Sequence, residues 1–373
     1  MNMSKKAHTP KKKSGLLGRI VRRFFLVLFT LLILLVVGLA LVMNLVFNGP
    51  SPAARDVLTM SLLEPSATKW IPGLFMDKAV VEQIRNAGSS ETLDDSTDLS
   101  AIVINRGSVA GGSTADEWAN NPDGIIIKEY QGKTFNAHIM LIKDPSRVYL
   151  GLSTYNGFST SIPGKRLNVA IEDEGAVAAI NAGAFNDNGT ADATVGSVPA
   201  GLTIHNSQVV SNVYKDLVPE KGFCGFNEDD ILVVAKSMTA EQAMEQKIRD
   251  GCEFGPVLII NGVPNQEVYS GNSGYNPRTV VGQRADGVVI FVCADGRQAG
   301  SLGATYKDMI DILVEYGAVN ACNMDGGSSS IMLYRDTLGL YGEPGEVQMI
   351  NSYSVLQSQP RRMPNFWMVR PAE

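Results

Sequence analysis

Three glycine-containing clusters that follow apolar, strand-like runs carry the side chains best suited to catalysis. They span residues 179–189 (AINAGAFNDNG), 276–298 and 319–330, and the last two each contain a strand that ends in Asp-Gly, at Asp295 and at Asp325. A strand that ends this way places a carboxylate at the rim of a sheet, and the glycine lets the backbone turn or approach a ligand. Two such carboxylates on one cleft would suit general acid–base or glycosyl chemistry. The alternative is that each Asp-Gly pair only makes a tight turn.

Two arginines lie beside these acids in the sequence and suit an anionic substrate. Arg278 begins one apolar strand, and Arg297 follows the first Asp-Gly pair. A guanidinium presents a planar set of donors that matches phosphate oxygens, although both arginines could equally form ion pairs with the aspartates. The run Gly326, Gly327 and Ser328 offers backbone N–H groups and hydroxyls to an anion, but it lacks the lysine of a P-loop.

Three further polar residues are less specific. Asn181 in the first cluster is suited to orienting sugar hydroxyls, or equally to capping a turn. His138 lies on an alternating strand (AHIMLI), where a structural role is the commoner one, although it could line a pocket. Ser328 is not expected to be a nucleophile, because its surroundings (DGGSS) differ from the G-x-S-x-G elbow.

Composition argues against several other classes of protein. Three histidines and four cysteines leave little material for a zinc site. Neither a metal nor a cofactor is therefore expected, although acidic rims can bind Ca²⁺ or Mg²⁺. The formal net charge is −6, and residues 1–47 hold eight of the 32 basic residues and none of the 38 acidic ones, so the remainder carries −14. That acidic charge argues against a nucleic-acid partner.

An uncharged, strongly apolar run at residues 24–47 predicts a transmembrane helix. Such a helix rises about 36 Å, enough to cross a hydrocarbon core about 30 Å thick. The lysines and arginines before it predict a cytoplasmic N-terminus and an extracellular remainder. A cleaved signal peptide is the alternative, but its apolar core usually has only about 7–15 residues, and Ala53 and Ala54 offer only a weak cleavage site. An uncleaved, single-pass anchor in the cell membrane is therefore favoured.

Changes in composition divide the chain into four segments: a basic cytoplasmic tail (1–23), the transmembrane helix (24–47), a juxtamembrane stalk and linker (48–98) and one large domain (99–373). Within the stalk, residues 53–63 and 76–86 are compatible with short helices. The acidic, polar run that begins at residue 88 reads as a linker.

The large domain is predicted to have an α+β fold. Its strand-like runs span residues 124–130, 137–143, 147–152, 177–182, 201–204, 231–235, 257–261, 279–283, 288–294 and 318–324. Helical periodicity is clearest at residues 305–316 and weaker at 239–249. Strands outnumber helices and alternate only partly with them, which predicts a mixed, largely β-sheet core with a few flanking helices, preceded by one transmembrane helix.

The four cysteines fit an exported protein only loosely. Cys293 and Cys322 lie inside apolar strand-like runs, where a buried, reduced thiol is the commoner outcome. Cys224 and Cys252 lie in less regular contexts, and the sequence leaves their pairing open.

The chain resembles the phosphodiester glycosidase family, which includes bacterial proteins called exopolysaccharide biosynthesis proteins. The resemblance is carried by NPRTVVGQRADGVVIFVCADGRQAGSLGATYKDMIDILVEYGAVNACNMDGGSSSIMLY, with AINAGAF and FGPVLIING upstream. It covers about residues 124–370. It implies a hydrolase that cleaves the bond between an α-linked sugar and the phosphate of a phosphodiester.

The resemblance also implies a set of polar site residues. On matching positions these are Asn181, Arg278, Asp295, Arg297, Asp325, Gly326, Gly327 and Ser328. A late arginine of the family corresponds to Arg361 or Arg362, and the sequence does not choose between them. The chain departs from the usual pattern at Ala184 and Phe185, at Met324 and over residues 348–360. The first departure bears on the shape of the sugar pocket and therefore on substrate identity.

The function expected from these observations is hydrolysis of an α-glycosyl-1-phosphodiester, similar to a GlcNAc-1-phosphodiester, in a cell-surface glycopolymer or glycolipid. Arg278 and Arg297 would hold the phosphate. One of Asp295 and Asp325 would act as general acid or base, and the other would stabilise the developing oxocarbenium charge or attack the anomeric carbon. Two alternatives remain: a non-catalytic module that binds a wall polymer, and a sugar-phosphate transferase in exopolysaccharide assembly.

Overall fold

The strands pair antiparallel in the structure, a computed structural model that describes residues 16–63, 68–86, 97–104, 118–186, 195–218, 222–271, 273–336, 339–353 and 359–372. The first fifteen residues of the basic tail and most of the acidic linker after residue 86 lie outside the described residues. The helices are α1 (Leu16–Asn48), α2 (Pro52–Leu63), α3 (Lys78–Asn86), α4 (Leu167–Glu174), α5 (Ala240–Glu245), α6 (Gln266–Ser270) and α7 (Tyr306–Glu315).

The strands are numbered in chain order. They are β1 (Ile125–Gln131), β2 (Asn136–Ile142), β3 (Val148–Leu152), β4 (Lys165–Arg166), β5 (Ala178–Asn181), β6 (Gly201–His205), β7 (Gln208–Val213), β8 (Phe223–Asn227), β9 (Leu232–Ala235), β10 (Ile248–Glu253), β11 (Val257–Ile260), β12 (Val263–Pro264), β13 (Arg278–Arg284), β14 (Val289–Ala294), β15 (Ala318–Met324), β16 (Met332–Arg335), β17 (Val347–Met349), β18 (Arg362–Met363) and β19 (Asn365–Val369).

Three large sheets surround one central core. The first has seven strands in the order β1-β2-β14-β13-β15-β11-β12, the second has the order β7-β6-β10-β8-β9, and the third has the order β17-β16-β5-β19-β3. Phe291 of the first sheet, Phe226 of the second and Trp367 of the third all belong to this core. Helix α7 covers the other face of the seven-stranded sheet, α5 packs on the second sheet and α4 on the third. The fold is therefore α+β, as the sequence predicts.

The seven-stranded sheet is buried on both faces, which explains why its strands read as continuous apolar runs. In β14, Phe291 and Cys293 point to the central core, whereas Ile290 and Val292 point to the layer that contains α7. Helix α7 begins with a capping box in which Thr305 and Asp308 exchange hydrogen bonds. It is followed by Gly317, whose positive φ of 76° suits the left-handed end of a helix.

Helix α1 has the composition of a membrane span. The most apolar 18-residue window within residues 21–48 has a mean hydropathy of 3.2, and none of that window is buried within the described protein. The two helix-compatible stretches of the stalk form α2 and α3. Ser61 of α2 accepts a hydrogen bond on its hydroxyl from the backbone N–H of Tyr275, at 3.0 Å. The stalk therefore packs against the large domain.

Two predictions about local structure need correction. The helix predicted at residues 239–249 ends at Glu245, because the chain from Ile248 forms strand β10. The interpretation of Cys224 and Cys252 as residues of irregular segments is wrong, since they lie opposite each other on β8 and β10. Gly225, whose Cβ would come within 2.8 Å of the Asp250 carbonyl oxygen, weakens the apolar pattern there.

All four cysteines are buried, and none of them forms a disulfide bond. Burial raises the pKa of the Cys224 and Cys252 thiols well above the ordinary value. Because the thiolate is the reactive form, both side chains behave as small apolar groups of the core.

A cluster of charged side chains lies at the end of β6, away from the residues with predicted catalytic roles. Arg249 contacts Asp230 at 3.1 Å and Asp250 at 2.7 Å. The Nδ1 atom of His205 lies 3.2 Å from an Asp250 oxygen and 2.8 Å from the Leu150 carbonyl oxygen. Burial lowers the pKa of His205, but the hydrogen bond and the charge of Asp250 outweigh it, so the pKa is raised above its ordinary value.

We expect His205 to make the stability of the protein depend on pH near neutrality. Since its pKa is higher in the folded state, its contribution is fully present below the unfolded pKa of about 6.5 and is lost as the pH rises through the folded pKa. Urea unfolding of the wild type and of His205→Gln at about pH 6 and pH 8 measures this. The wild type should lose more stability over this range than the variant does. Equal losses in the two proteins would contradict the assignment.

Candidate active site

Asp295 and Asp325 lie at the same edge of the seven-stranded sheet. Strands β14 and β15 both pair antiparallel with β13, so they run in the same direction and end beside the first residues of β13. Asp295 follows the last residue of β14 and Asp325 the last residue of β15. With two strand spacings between them, their backbones are about 10 Å apart. The two acids therefore share one rim.

Asp295 is held firmly and is only 3% exposed. Its Oδ1 accepts a hydrogen bond from the Ser352 backbone N–H at 2.9 Å, and its Oδ2 lies 3.9 Å from Nε2 of His138. His138 is the register partner of Cys293 on β14, so it lies on the same face as Asp295. A carboxylate and an imidazole are thus side by side beneath the rim.

Asp325 begins a loop, residues 325–330, that packs over the end of β5. Its N–H donates to the Ala182 carbonyl oxygen at 3.0 Å, and its side chain is partly exposed. Beneath the loop, the Asn181 amide donates to the Asp325 carbonyl oxygen at 2.6 Å. The Asn181 carbonyl oxygen accepts from the Thr279 hydroxyl at 2.8 Å and from the Ile331 N–H at 3.2 Å.

Asn181 therefore joins strand β5, strand β13 and both ends of the loop. It is completely buried and already makes three hydrogen bonds within the protein. The structure places this amide behind the backbone of Asp325, where it positions the loop. It does not open onto solvent, as a group that orients sugar hydroxyls would.

The two glycines of the loop are required by close contacts. A Cβ on Gly326 would lie 2.8 Å from the Pro277 carbonyl oxygen, which is too close for a carbon atom. Gly327 has a φ of +62°, and its N–H donates to the same Pro277 carbonyl oxygen at 2.9 Å. A Cβ on Gly327 would meet the Arg297 guanidinium at 3.1 Å. The missing side chain of Gly326 thus allows the loop to approach Pro277, and that of Gly327 allows it to approach Arg297.

Arg297 is exposed and lies against this loop. Its Nη2 donates to the Asn276 side-chain oxygen at 2.8 Å. Its backbone has a φ of +58°, a left-handed conformation that costs about 1–2 kcal/mol for a residue other than glycine. The surrounding structure holds this strained conformation, which is common for residues at functional sites.

Arg278 lies on the other face of the sheet. Residues alternate in direction along a strand, and Arg278 shares its face with Val280, toward α7, whereas Thr279 faces Asn181. The Arg278 guanidinium is 3.9 Å from the centre of the Tyr306 ring. It donates to the backbone carbonyl oxygens of Gly274 and Ala304 at 2.9 and 3.2 Å. The Arg278 guanidinium therefore lies in the layer that contains α7.

A second arginine does reach the loop. Arg361 donates from Nη1 to the Ser328 hydroxyl at 3.3 Å, and its guanidinium lies 4.8 Å from the centre of the Phe185 ring. Arg362 instead donates to the Gly164 carbonyl oxygen at 2.9 Å. Of these two arginines, Arg361 is the one that contacts the loop.

Tyr353 supports the same side of the loop. Its hydroxyl donates to the Ser328 carbonyl oxygen at 2.5 Å and accepts from the Arg361 N–H at 3.2 Å. Burial raises the pKa of Tyr353, and the Asp325 charge adds to the rise, although Arg361 opposes it. The side chain therefore remains a neutral donor.

Sequence reasoning missed Tyr353 and gave His138 no definite role. The alternating pattern of β2 identifies the face of His138 but not its neighbour, which depends on the β2–β14 register. Tyr353 lies in the stretch 348–360, where the resemblance to the family is weak. Among the described residues, no three His, Cys, Asp or Glu side chains come together in a way that could hold a metal ion.

The chain matches the model of a known protein family. The model of the phosphodiester glycosidase family (NAGPA) matches residues 174–370, more than half of the chain, and the chain belongs to this family. The match includes Asn181, both rim aspartates, Arg297 and Arg361.

Two individual proteins are similar to the chain. The uncharacterized protein YomE of Bacillus subtilis (strain 168), derived from the SPbeta prophage, is 27% identical over 208 residues. This alignment covers 53% of the chain but only 29% of YomE. The catalytic domain of zebrafish N-acetylglucosamine-1-phosphodiester alpha-N-acetylglucosaminidase, auto-inhibited by its pro-peptide, superimposes with a TM-score of 0.51 and 18% identity. That match covers 68% of the chain and 85% of the zebrafish chain, and it shows a shared fold.

Proposed function

We propose that the protein is a membrane-anchored, extracellular hydrolase that cleaves the bond between an α-linked sugar and the phosphate of a phosphodiester in a cell-surface glycopolymer or glycolipid. Membership of the phosphodiester glycosidase family supports the reaction class. The observation that carries the proposal is the loop at residues 325–328, which lies between two arginines and shares its rim with a second carboxylate.

Binding of the phosphate is assigned to Arg297, whose guanidinium lies near Gly327, and to Arg361, which donates a hydrogen bond to the Ser328 hydroxyl. Guanidinium groups neutralise phosphate oxygens and fix their orientation. The Ser328 hydroxyl and the turn at Gly326 complete this anion-binding side of the site. Arg278 is assigned a supporting role, because it holds the segment before β13 through the Gly274 and Ala304 carbonyl oxygens.

The reacting carboxylate is assigned to Asp325, because its side chain is partly exposed at the rim. Water adds to the anomeric carbon, the bond from that carbon to the phosphate oxygen breaks, and the phosphate monoester leaves with the bonding electrons. Asp325 takes the proton from the attacking water. Asp295, buried beside His138, stabilises the positive charge that develops on the sugar. Phosphate is a good leaving group, so a strong general acid is not required.

Location at the membrane is proposed from helix α1. The positive charges before it would keep the N-terminus in the cytoplasm and place the large domain, proposed as residues 99–373, outside the cell. Residues 1–23 would then form the cytoplasmic tail, residues 24–47 the span and residues 48–98 the connection to the domain.

A turnover assay tests the proposal. The full chain in detergent is incubated with an α-GlcNAc-1-phosphodiester and with the corresponding compounds of other sugars, and released sugar is measured over time. We expect release without any added acceptor. Binding without release would instead indicate a wall-polymer binding module. Consumption only in the presence of a polymer hydroxyl would indicate a sugar-phosphate transferase. Either of these results would overturn the hydrolase proposal.

A further inference from the structure

The segment of residues 68–76 forms a compact turn at the outer end of α1, and is called here the juxtamembrane turn. The Phe75 ring stacks on the Phe47 ring with centroids 5.2 Å apart. The Asn48 side-chain amide donates to the Phe75 carbonyl oxygen at 3.3 Å. Phe47 and Asn48 are the last two residues of α1. The turn is therefore fixed at the level where the apolar helix ends.

Hydrogen bonds within the turn give it a defined shape. The N–H groups of Leu74 and Phe75 donate to the carbonyl oxygens of Ile71 and Pro72, at 3.0 and 3.1 Å. At its other end, the Thr68 hydroxyl donates to the Leu62 carbonyl oxygen of α2 at 2.9 Å. The turn thus runs back from the end of α2 to the end of α1 with its backbone held at both ends.

Two large apolar side chains of the turn point outward. Trp70 is 60% exposed and Leu74 is 67% exposed. Lys69 within the turn and Lys78 just after it are also exposed, as is Asp77 between the turn and Lys78. The combination of tryptophan, an aliphatic residue and lysines is typical of protein segments that contact lipid headgroups. Tryptophan is enriched at the interface between membrane and water, and lysines are attracted electrostatically to anionic lipids. At the end of α1 on which the turn packs, Leu45 is also exposed.

We propose that the juxtamembrane turn is a second membrane contact, in which Trp70 and Leu74 insert into the headgroup layer of the bilayer that α1 crosses. The inference rests on the membrane anchoring in the proposed function, because the position of the turn is defined relative to α1. It is independent of the proposed reaction. The occupant is the lipid surface, since the turn packs on Phe47 and Asn48 at the end of the apolar helix.

This contact would fix the large domain relative to the membrane. The turn is joined to α2 at Leu62, and α2 is joined to the large domain through Ser61 and Tyr275. The neighbouring Asn276 contacts Arg297 of the candidate site. An inserted turn therefore limits rotation of the domain about the end of α1, because the chain is held by two points at the bilayer.

Tryptophan fluorescence tests the insertion. The full chain is reconstituted into vesicles of phosphatidylcholine and phosphatidylglycerol, with or without lipids that carry bromine, a quencher of tryptophan emission. Trp118 and Trp367 are buried in the protein, so Trp70 is the tryptophan expected to meet the quencher. We expect loss of emission in the brominated vesicles, and we expect this loss to disappear in Trp70→Phe. Adding Leu74→Trp to that variant should restore it.

Each result has a definite meaning. No quenching in a chain that floats with the vesicles would overturn the inference while leaving the anchor intact. Quenching that persists in Trp70→Phe would also overturn it, since the signal would come from another tryptophan. A chain that does not float with the vesicles would overturn both the anchor and the inference. The proposed reaction is tested independently, by the release of sugar from the substrate in detergent, so its failure can be distinguished from each of these three results.

Discussion

Replacement of Asp325 by asparagine will lower the rate of sugar release by about 10²–10⁴-fold, the range typical for loss of a general base. The amide keeps the size of the side chain but cannot take the proton from water. The backbone of the loop is held from below by Asn181 and by the Ala182 carbonyl oxygen, so the fold should be retained. The measurements are the turnover rate at saturating substrate and the urea unfolding curve.

The control is Asp311→Asn, which makes the same chemical change on the surface of α7. Asp311 is 45% exposed and pairs with Lys307, and such exposed pairs contribute little to stability. This variant should release sugar at the wild-type rate. The Asp325 variant should still bind the phosphodiester, because both arginines remain. A wild-type rate in Asp325→Asn would remove Asp325 from the mechanism.

Replacement of Asn181 by alanine is expected to have the largest effect on stability. It leaves the Asp325 carbonyl oxygen, the Thr279 hydroxyl and the Ile331 N–H without the amide that they contact. Each unsatisfied buried group costs about 1–3 kcal/mol, so we expect a loss of about 3–5 kcal/mol in the free energy of unfolding. The folded fraction should also release sugar more slowly, because the loop that carries Asp325 loses its support.

Asn320→Ala separates the two effects. Asn320 is also completely buried, and its side chain makes hydrogen bonds to the Asn261 N–H and the Leu232 carbonyl oxygen. It lies at the opposite end of β15, far from the rim. We expect a comparable loss of stability but a wild-type rate in the folded protein. If Asn181→Ala behaved in the same way, Asn181 would not position the site.

Many strand positions could be predicted because a strand that is buried on both faces appears in the sequence as a continuous apolar run. All ten predicted runs correspond to strands, among them β13, β14 and β15. Strands β8 and β10 were missed, since glycines at close approaches interrupt their apolar pattern. Strand β19 was missed because it joins β3 and β5 from a distant part of the chain, and local periodicity contains no information about such a partner.

The candidate site could be predicted in its parts but not in its arrangement. The two aspartates could be identified because each Asp-Gly pair directly follows an apolar run, a pattern that the local sequence shows by itself. The face of the sheet on which Arg278 lies depends on the register of β13. A shift of one residue in the register would move every side chain of the strand to the opposite face. Arg361 could not be chosen over Arg362 for a similar reason, as these neighbours point in different directions near β18.

The hydrogen bond between Ser61 and Tyr275 has a geometric consequence for a chain anchored by α1. From Pro52 to Ser61, α2 rises about 14 Å, and Tyr275 adjoins Asn276, which contacts Arg297. The path from the end of α1 to the candidate site would then consist of this short helix, the Ser61–Tyr275 hydrogen bond and the Asn276–Arg297 contact. Sugars attached directly to a lipid would be within reach, whereas distant units of a long polymer would have to fold back toward the cell surface.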